Sequence, residues 1–185
     1  GLNEKSEEKK IKSKALMEEM AKVSIHNSDL GLDFDNIEKM IEYYQNKLIG
    51  ILTQHIELNK RLGTGFLPST LSVIMAASGI GKSLLMTDLI SNHIKDGKNV
   101  LLVSMEMEDK EIMKRVHANA LDLPINELKN LDPLVIRNAH ERFKSGGIGK
   151  FYVKDYPNGT FSPLMLDALL DSYKNELGIE FDIVY

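Results

Sequence analysis

Ala76-Ala77-Ser78-Gly79-Ile80-Gly81-Lys82-Ser83 is the stretch that decides how this chain folds, because it spells a P-loop between an apolar run and an amphipathic one. Small residues let consecutive backbone N–H groups curl around phosphates, and the helix that follows points the positive end of its dipole at them. Lys82 then supplies a mobile cation for the β- and γ-phosphates, and the Ser83 hydroxyl a ligand for Mg²⁺. Ala76 stands where the commonest form of the motif has glycine, so the loop fits the relaxed pattern. Together these residues predict a nucleoside triphosphate site.

The flanks agree with that reading. Leu71-Ser72-Val73-Ile74-Met75 predicts a buried strand feeding the loop, and Leu84, Leu85, Asp88, Leu89, Ile90 and His93 recur at helical spacing after it. Upstream, Gly63 to Ser69 reads as a loop, with Pro68 outside any ladder. Downstream, Asp96-Gly97-Lys98 marks a turn and Asn99 to Ser104 a second strand. A helix is predicted from about Asp109 to Leu121, and another opens at Pro133 and runs to Phe143, where Ser145-Gly146-Gly147 stops it. Phe151-Tyr152-Val153 predicts a strand, Ser162-Pro163 starts a helix through about Tyr173, and Phe181 to Tyr185 begins one more strand. Strands alternating with helices of this length imply an α/β fold: a parallel sheet with helices on both faces.

Composition narrows the classes. The chain has 185 residues, 43% of them hydrophobic, enough for one well-buried domain and an appendage. A formal charge of −4 provides no general footprint for nucleic acid, so any contact with DNA would need a local basic surface or groups outside the chain. The absence of cysteine excludes disulfides and thiolate metal sites and fits a reducing, cytoplasmic setting. His26, His55, His93, His117 and His140 lack metal-ligand spacing and read as ordinary surface or core residues. No apolar run approaches membrane-spanning length, so no membrane partner is expected.

The N-terminal thirty residues differ from the rest. A mixed-charge run over Glu4 to Lys10 gives way to Leu16, Met20 and Val23 at i, i+4, i+7. That narrow stripe suits either a solvated leader or a helix that docks on a partner. Asp35 with Glu38 three positions on resembles a capping box, opening a helix lined by Ile37, Met40, Ile41, Tyr44 and Leu48. The expected organisation is a charged leader and linker helix over residues 1–30 and a nucleotide-binding domain over residues 31–185.

Glu106 is the second candidate for chemistry. It lies just past the second strand, in Ser104-Met105-Glu106-Met107, and ligands of parallel sheets gather at the carboxyl ends of strands. It can act as a general base toward an attacking water. It can equally be a surface acid at the start of the helix holding Glu108, Asp109 and Glu111, where the dipole favours negative charge.

Ser104-Met105-Glu106-Met107, at its distance from the P-loop, resembles the Ser-Leu/Met-Glu-Met signature of DnaB-family replicative helicases. Leu58-Asn59-Lys60, Lys114-Arg115, Ala118-Asn119, Leu121-Asp122 and Val153-Lys154-Asp155-Tyr156-Pro157 resemble the T-even-phage branch of that family. The resemblance runs from about Leu16 to Tyr185. It implies a RecA-like P-loop NTPase core preceded by N-terminal linker helices, acting in a homo-hexameric ring that uses ATP and Mg²⁺ to move along single-stranded DNA. It gives Lys82 and Ser83 the phosphate and Mg²⁺ roles and Glu106 that of catalytic base. It makes the Leu16 to Val23 helix the linker that docks on a neighbouring subunit, and it brings a primase and a helicase loader into view as partners.

The pattern is departed from at the C-terminal end. The family's Walker B strand continues to an Asp that supports Mg²⁺, whereas Asp182 stands at the beginning of its strand and is not assigned that role. The family's DNA-binding loops and arginine finger would lie further on, so the expectation is a truncated core that is inactive alone. Two other functions share much of this sequence. A RecA-like recombinase or clock-type ATPase has the P-loop and a Glu at the same strand end, and a nucleotide-sensing scaffold would bind ATP without hydrolysing it.

Overall fold

The computed structural model describes residues 33–46 and 49–185. The charged leader and the Leu16 to Val23 helix lie outside the described residues. The chain divides into two compact units, Gly1–Lys47 and Leu48–Tyr185.

In the first unit, helix α1 spans Ile37–Gln45 and none of its residues is buried. Its cap differs from the expected Asp35–Glu38 box. Asn36 is the N-cap and its side chain accepts from the Lys39 N–H at 3.3 Å, while the Asp35 N–H donates to the Asp33 carboxylate. The Asn36 side chain, of the same length as Asp35 but one residue nearer the helix, captures the free N–H.

The second unit holds the sheet. Its elements are α2 (Ile56–Leu62), α3 (Lys82–Lys95), β1 (Val100–Ser104), α4 (Asp109–Ala120), α5 (Pro133–Lys144), β2 (Phe151–Asp155), α6 (Pro163–Leu177) and β3 (Ile183–Val184). Three strands pair in the order β2-β1-β3, all parallel. The register runs from Val100 opposite Phe151 to Ser104 opposite Asp155, with Val100 opposite Ile183 on the other side. The core forms where Val100 and Leu102 of β1 meet Ile90 and Ile94 of α3 and Ile112 and Val116 of α4. Alternate residues point to the other face, where Tyr152 packs on Tyr173 of α6 at 4.8 Å between ring centroids and Phe181 closes the group. Helices therefore cover both faces, as the alternation of elements predicts.

Helix α6 runs four residues past its expected end at Tyr173, to Leu177, and stops where Gly178 enters the left-handed region at φ 65°. Helix α2 was not foreseen as an element. One expectation fails outright: Leu71-Ser72-Val73-Ile74-Met75 is neither a strand nor buried, with Leu71 91% and Met75 87% exposed. A strand exists through lateral hydrogen bonds, and no described residue pairs with this segment.

The P-loop helix is tied to two other helices through Asp88. Its carboxylate receives His55 Nε2 at 2.7 Å from the head of α2, Asn92 Nδ2 at 3.2 Å from α3 itself and Asn119 Nδ2 at 3.4 Å from α4. At the far end of α3, Gly149 donates to the Ile94 carbonyl at 2.9 Å and lies so close to Lys98 that a Cβ would overlap the Lys98 carbonyl. Gly149→Ala is expected to cost about 1–3 kcal/mol through backbone displacement, read as a lower midpoint in urea unfolding. An unchanged midpoint would show that β1 and the turn before β2 tolerate separation.

Candidate nucleotide site

The loop reaches α3 through two glycines, Gly79 at φ 78° and Gly81 at φ 103°, conformations that a side chain would strain. Gly81 serves as N-cap and offers no side-chain acceptor, so the first N–H groups of the 14-residue helix remain free to meet an anion. The Lys82 ammonium turns back onto the Ala76 carbonyl at 3.0 Å, inside the ring of the loop. Of the expected apolar face of α3, Leu89, Ile90 and His93 are fully buried, whereas Leu84 is exposed beside the loop.

Lys82, Ser83 and Glu106 line one cavity of about 930 Å³. Its other walls come from Ile49 and Ile51, the stretch from Phe66 to Ser72 with Ile74, and β3 with Tyr185. The remaining loop residues, Ala76, Ala77, Ser78, Gly79, Ile80 and Gly81, do not line it and face solvent or stand half-buried beside it. The walls from Ile49, Ile51 and residues 66–72 carry no motif; the antiparallel bridge between Ile51 and Phe66 folds these stretches together. The donor set suits a nucleotide with Mg²⁺: one ammonium, free N–H groups at a helix head, a hydroxyl and a carboxylate. No group of three or more His, Cys, Asp or Glu with metal-ligand placement occurs among the described residues.

Glu106 is placed by backbone. The Met107 N–H donates to Ser104 Oγ at 2.9 Å and the Glu106 N–H to the same oxygen at 3.4 Å. Among the described residues the Glu106 carboxylate enters no ion pair and no hydrogen bond. Asp182, by contrast, is occupied: its carboxylate accepts the Asn99 N–H at 2.7 Å and stands 3.9 Å from the Lys98 ammonium.

Comparison with known proteins now settles the family. The family described as DnaB-like helicase C terminal domain matches residues 50–179. This chain belongs to that family. The DnaB-like domain is also similar to a "DnaB-like replicative helicase" of Enterobacteria phage T4, 30% identical over 152 residues, covering 80% of this chain and 32% of the relative. It is 28% identical over 162 residues to a "DNA repair protein RadA" of Campylobacter jejuni, covering 88% of this chain and 31% of that protein. The chain thus spans about a third of the length of these curated relatives. A RecA-like α/β fold follows from the family and agrees with the parallel sheet. Members are nucleotide-hydrolysing enzymes, which implies a nucleotide and a metal. No helix among the described residues is long and apolar enough to cross a membrane.

Deep beside the cavity, His93 is 0% exposed, and its Nδ1 meets the Tyr185 hydroxyl at 2.9 Å. Burial pushes the His93 pKa below its ordinary 6.5, partly offset by the Asp96 carboxylate, and burial pushes the Tyr185 phenol up. His117 is also lowered, by burial and then by His140. The unfolded chain therefore binds more protons than the folded one as pH falls through the ordinary histidine range, and stability falls with it. The expected result is a melting temperature that drops between about pH 7 and pH 5.5, with a shallower slope in His93→Gln. Equal slopes would assign the dependence to other groups.

Proposed function

We propose that the DnaB-like domain is the ATP-binding core of a replicative DNA helicase that unwinds duplex DNA by ATP-driven movement along single-stranded DNA. The observation that carries this reading is the meeting of Lys82, Ser83 and Glu106 on one cavity at the head of α3 and the carboxyl end of β1, in a chain of this family. The N–H groups at the head of α3 and the Lys82 ammonium bind the phosphates, once Lys82 leaves the Ala76 carbonyl. Ser83 is the residue that would hold Mg²⁺, which when bound neutralises charge between the phosphates. Glu106 accepts a proton from the attacking water and aims it.

Single-stranded DNA, a homo-hexameric assembly, and a primase and loader belong to the same proposal. The setting is the cytoplasm of a bacterial or phage-infected cell. The relative named as a DNA repair protein shares much the same stretch, so the P-loop core is common ground; the family match favours the helicase. The test is unwinding and single-stranded-DNA-stimulated ATP hydrolysis by the intact protein, run beside a strand-exchange assay. Exchange without unwinding would overturn the helicase reading.

A further inference from the structure

We propose that Ser104 is the positioning residue for Glu106, holding the base in place through the backbone; the proposal rests on Glu106 being that base. Ser104 closes β1 and is only 9% exposed. Its carbonyl accepts the Tyr156 N–H at 2.8 Å, which locks its backbone to the exit of β2. Its side-chain oxygen, carried on that anchored backbone, accepts from both the Glu106 and the Met107 N–H. The hydrogen bonds that tie the turn carrying Glu106 to the sheet thus converge on one atom, beside the apolar packing of Met107 on the core. The Glu106 carboxylate has no hydrogen-bond or ion-pair partner among the described residues, so no polar side-chain partner restores its position if that tie is lost. Helix α4 starts at Asp109, two residues past Met107, and its N-cap Glu108 makes no side-chain capping bond. No side-chain capping bond downstream in the turn therefore substitutes for the Ser104 oxygen, and the packing of Met107 on the core fixes the turn's apolar side, not the Glu106 backbone N–H. A base must sit within about 3 Å of the proton that it takes, and a shift of about 1 Å at a reacting group costs up to about 10²-fold in rate.

The experiment compares Ser104→Ala, Ser104→Thr and Glu106→Gln, and the combination of Ser104→Ala with Glu106→Gln, in the intact protein. It measures ATP turnover and the affinity for a slowly hydrolysed ATP analogue with Mg²⁺. Ser104→Ala is expected to lower kcat about ten- to a hundredfold with affinity unchanged, and Ser104→Thr, which keeps the oxygen, to stay within about threefold of wild type. In the Glu106→Gln background Ser104→Ala should cost nothing further, because the group it positions is already disabled. Unchanged kcat in Ser104→Ala, a threonine variant as slow as the alanine one, or a loss of affinity alongside kcat would each overturn the positioning role while leaving Glu106 as base. A further loss on top of Glu106→Gln would do the same. Wild-type turnover in Glu106→Gln alone would overturn the base and the positioning role together.

Discussion

Glu106→Gln in the intact protein is expected to leave nucleotide affinity unchanged and to lower ATP turnover by about 10²–10⁴. Glutamine keeps the shape of the side chain and loses the ability to accept a proton. The cavity that Glu106 shares with Lys82 and Ser83 provides room for a phosphate-bound nucleotide beside it. Its carboxylate is not tied up in any hydrogen bond or ion pair among the described residues, which leaves it free for a water. Single-turnover hydrolysis measured next to equilibrium binding separates the two quantities. Wild-type turnover would return Glu106 to the other role that the sequence allows, an acid at the head of α4 beside Asp109 and Glu111. It would also favour a scaffold that binds nucleotide without cleaving it.

Lys82→Ala is expected to weaken binding of an ATP analogue by roughly 10²-fold. A charge-assisted hydrogen bond is worth about 1.5–3 kcal/mol, and a loss near 2.7 kcal/mol corresponds to about a hundredfold in affinity. The hydrogen bond from the ammonium to the Ala76 carbonyl means that wild-type Lys82 gives up one bond to gain those on the phosphates. Alanine gives up both. Calorimetric titration of the wild-type chain and the variant with Mg²⁺ and the analogue is the measurement. Equal affinities would refute the P-loop assignment, while binding lost only in the variant would establish the loop as the phosphate grip.

Sequence-local features were legible in proportion to how locally they are decided. The turn of the P-loop into α3 depends on Gly79 and Gly81 adopting positive φ, a property of those two residues alone. Pro133 at the first position of α5 and the Asp132 side chain accepting from Leu134 start that helix with no help from elsewhere. The apolar run from Asn99 to Ser104 predicts a strand, and β1 forms there, central and buried. The same pattern at Leu71 to Met75 misled, because an apolar run states that a segment can be buried in a sheet, not which strand will lie beside it.

What the sequence by itself determined is the set of groups available: a glycine-containing P-loop motif opening a helix, a strand ending in Ser104-Met105-Glu106-Met107, and the alternation that makes the sheet parallel. Residue type and near-neighbour backbone geometry suffice for these. Only the tertiary structure decided that Lys82, Ser83 and Glu106 share a cavity, that Ile49, Ile51 and residues 66–72 wall it, and that Ser104 reaches Tyr156 to anchor the turn. Those are contacts between residues far apart in the chain. They depend on strand register and on pairing partners, which lateral hydrogen bonds and burial select only once the whole sheet is assembled.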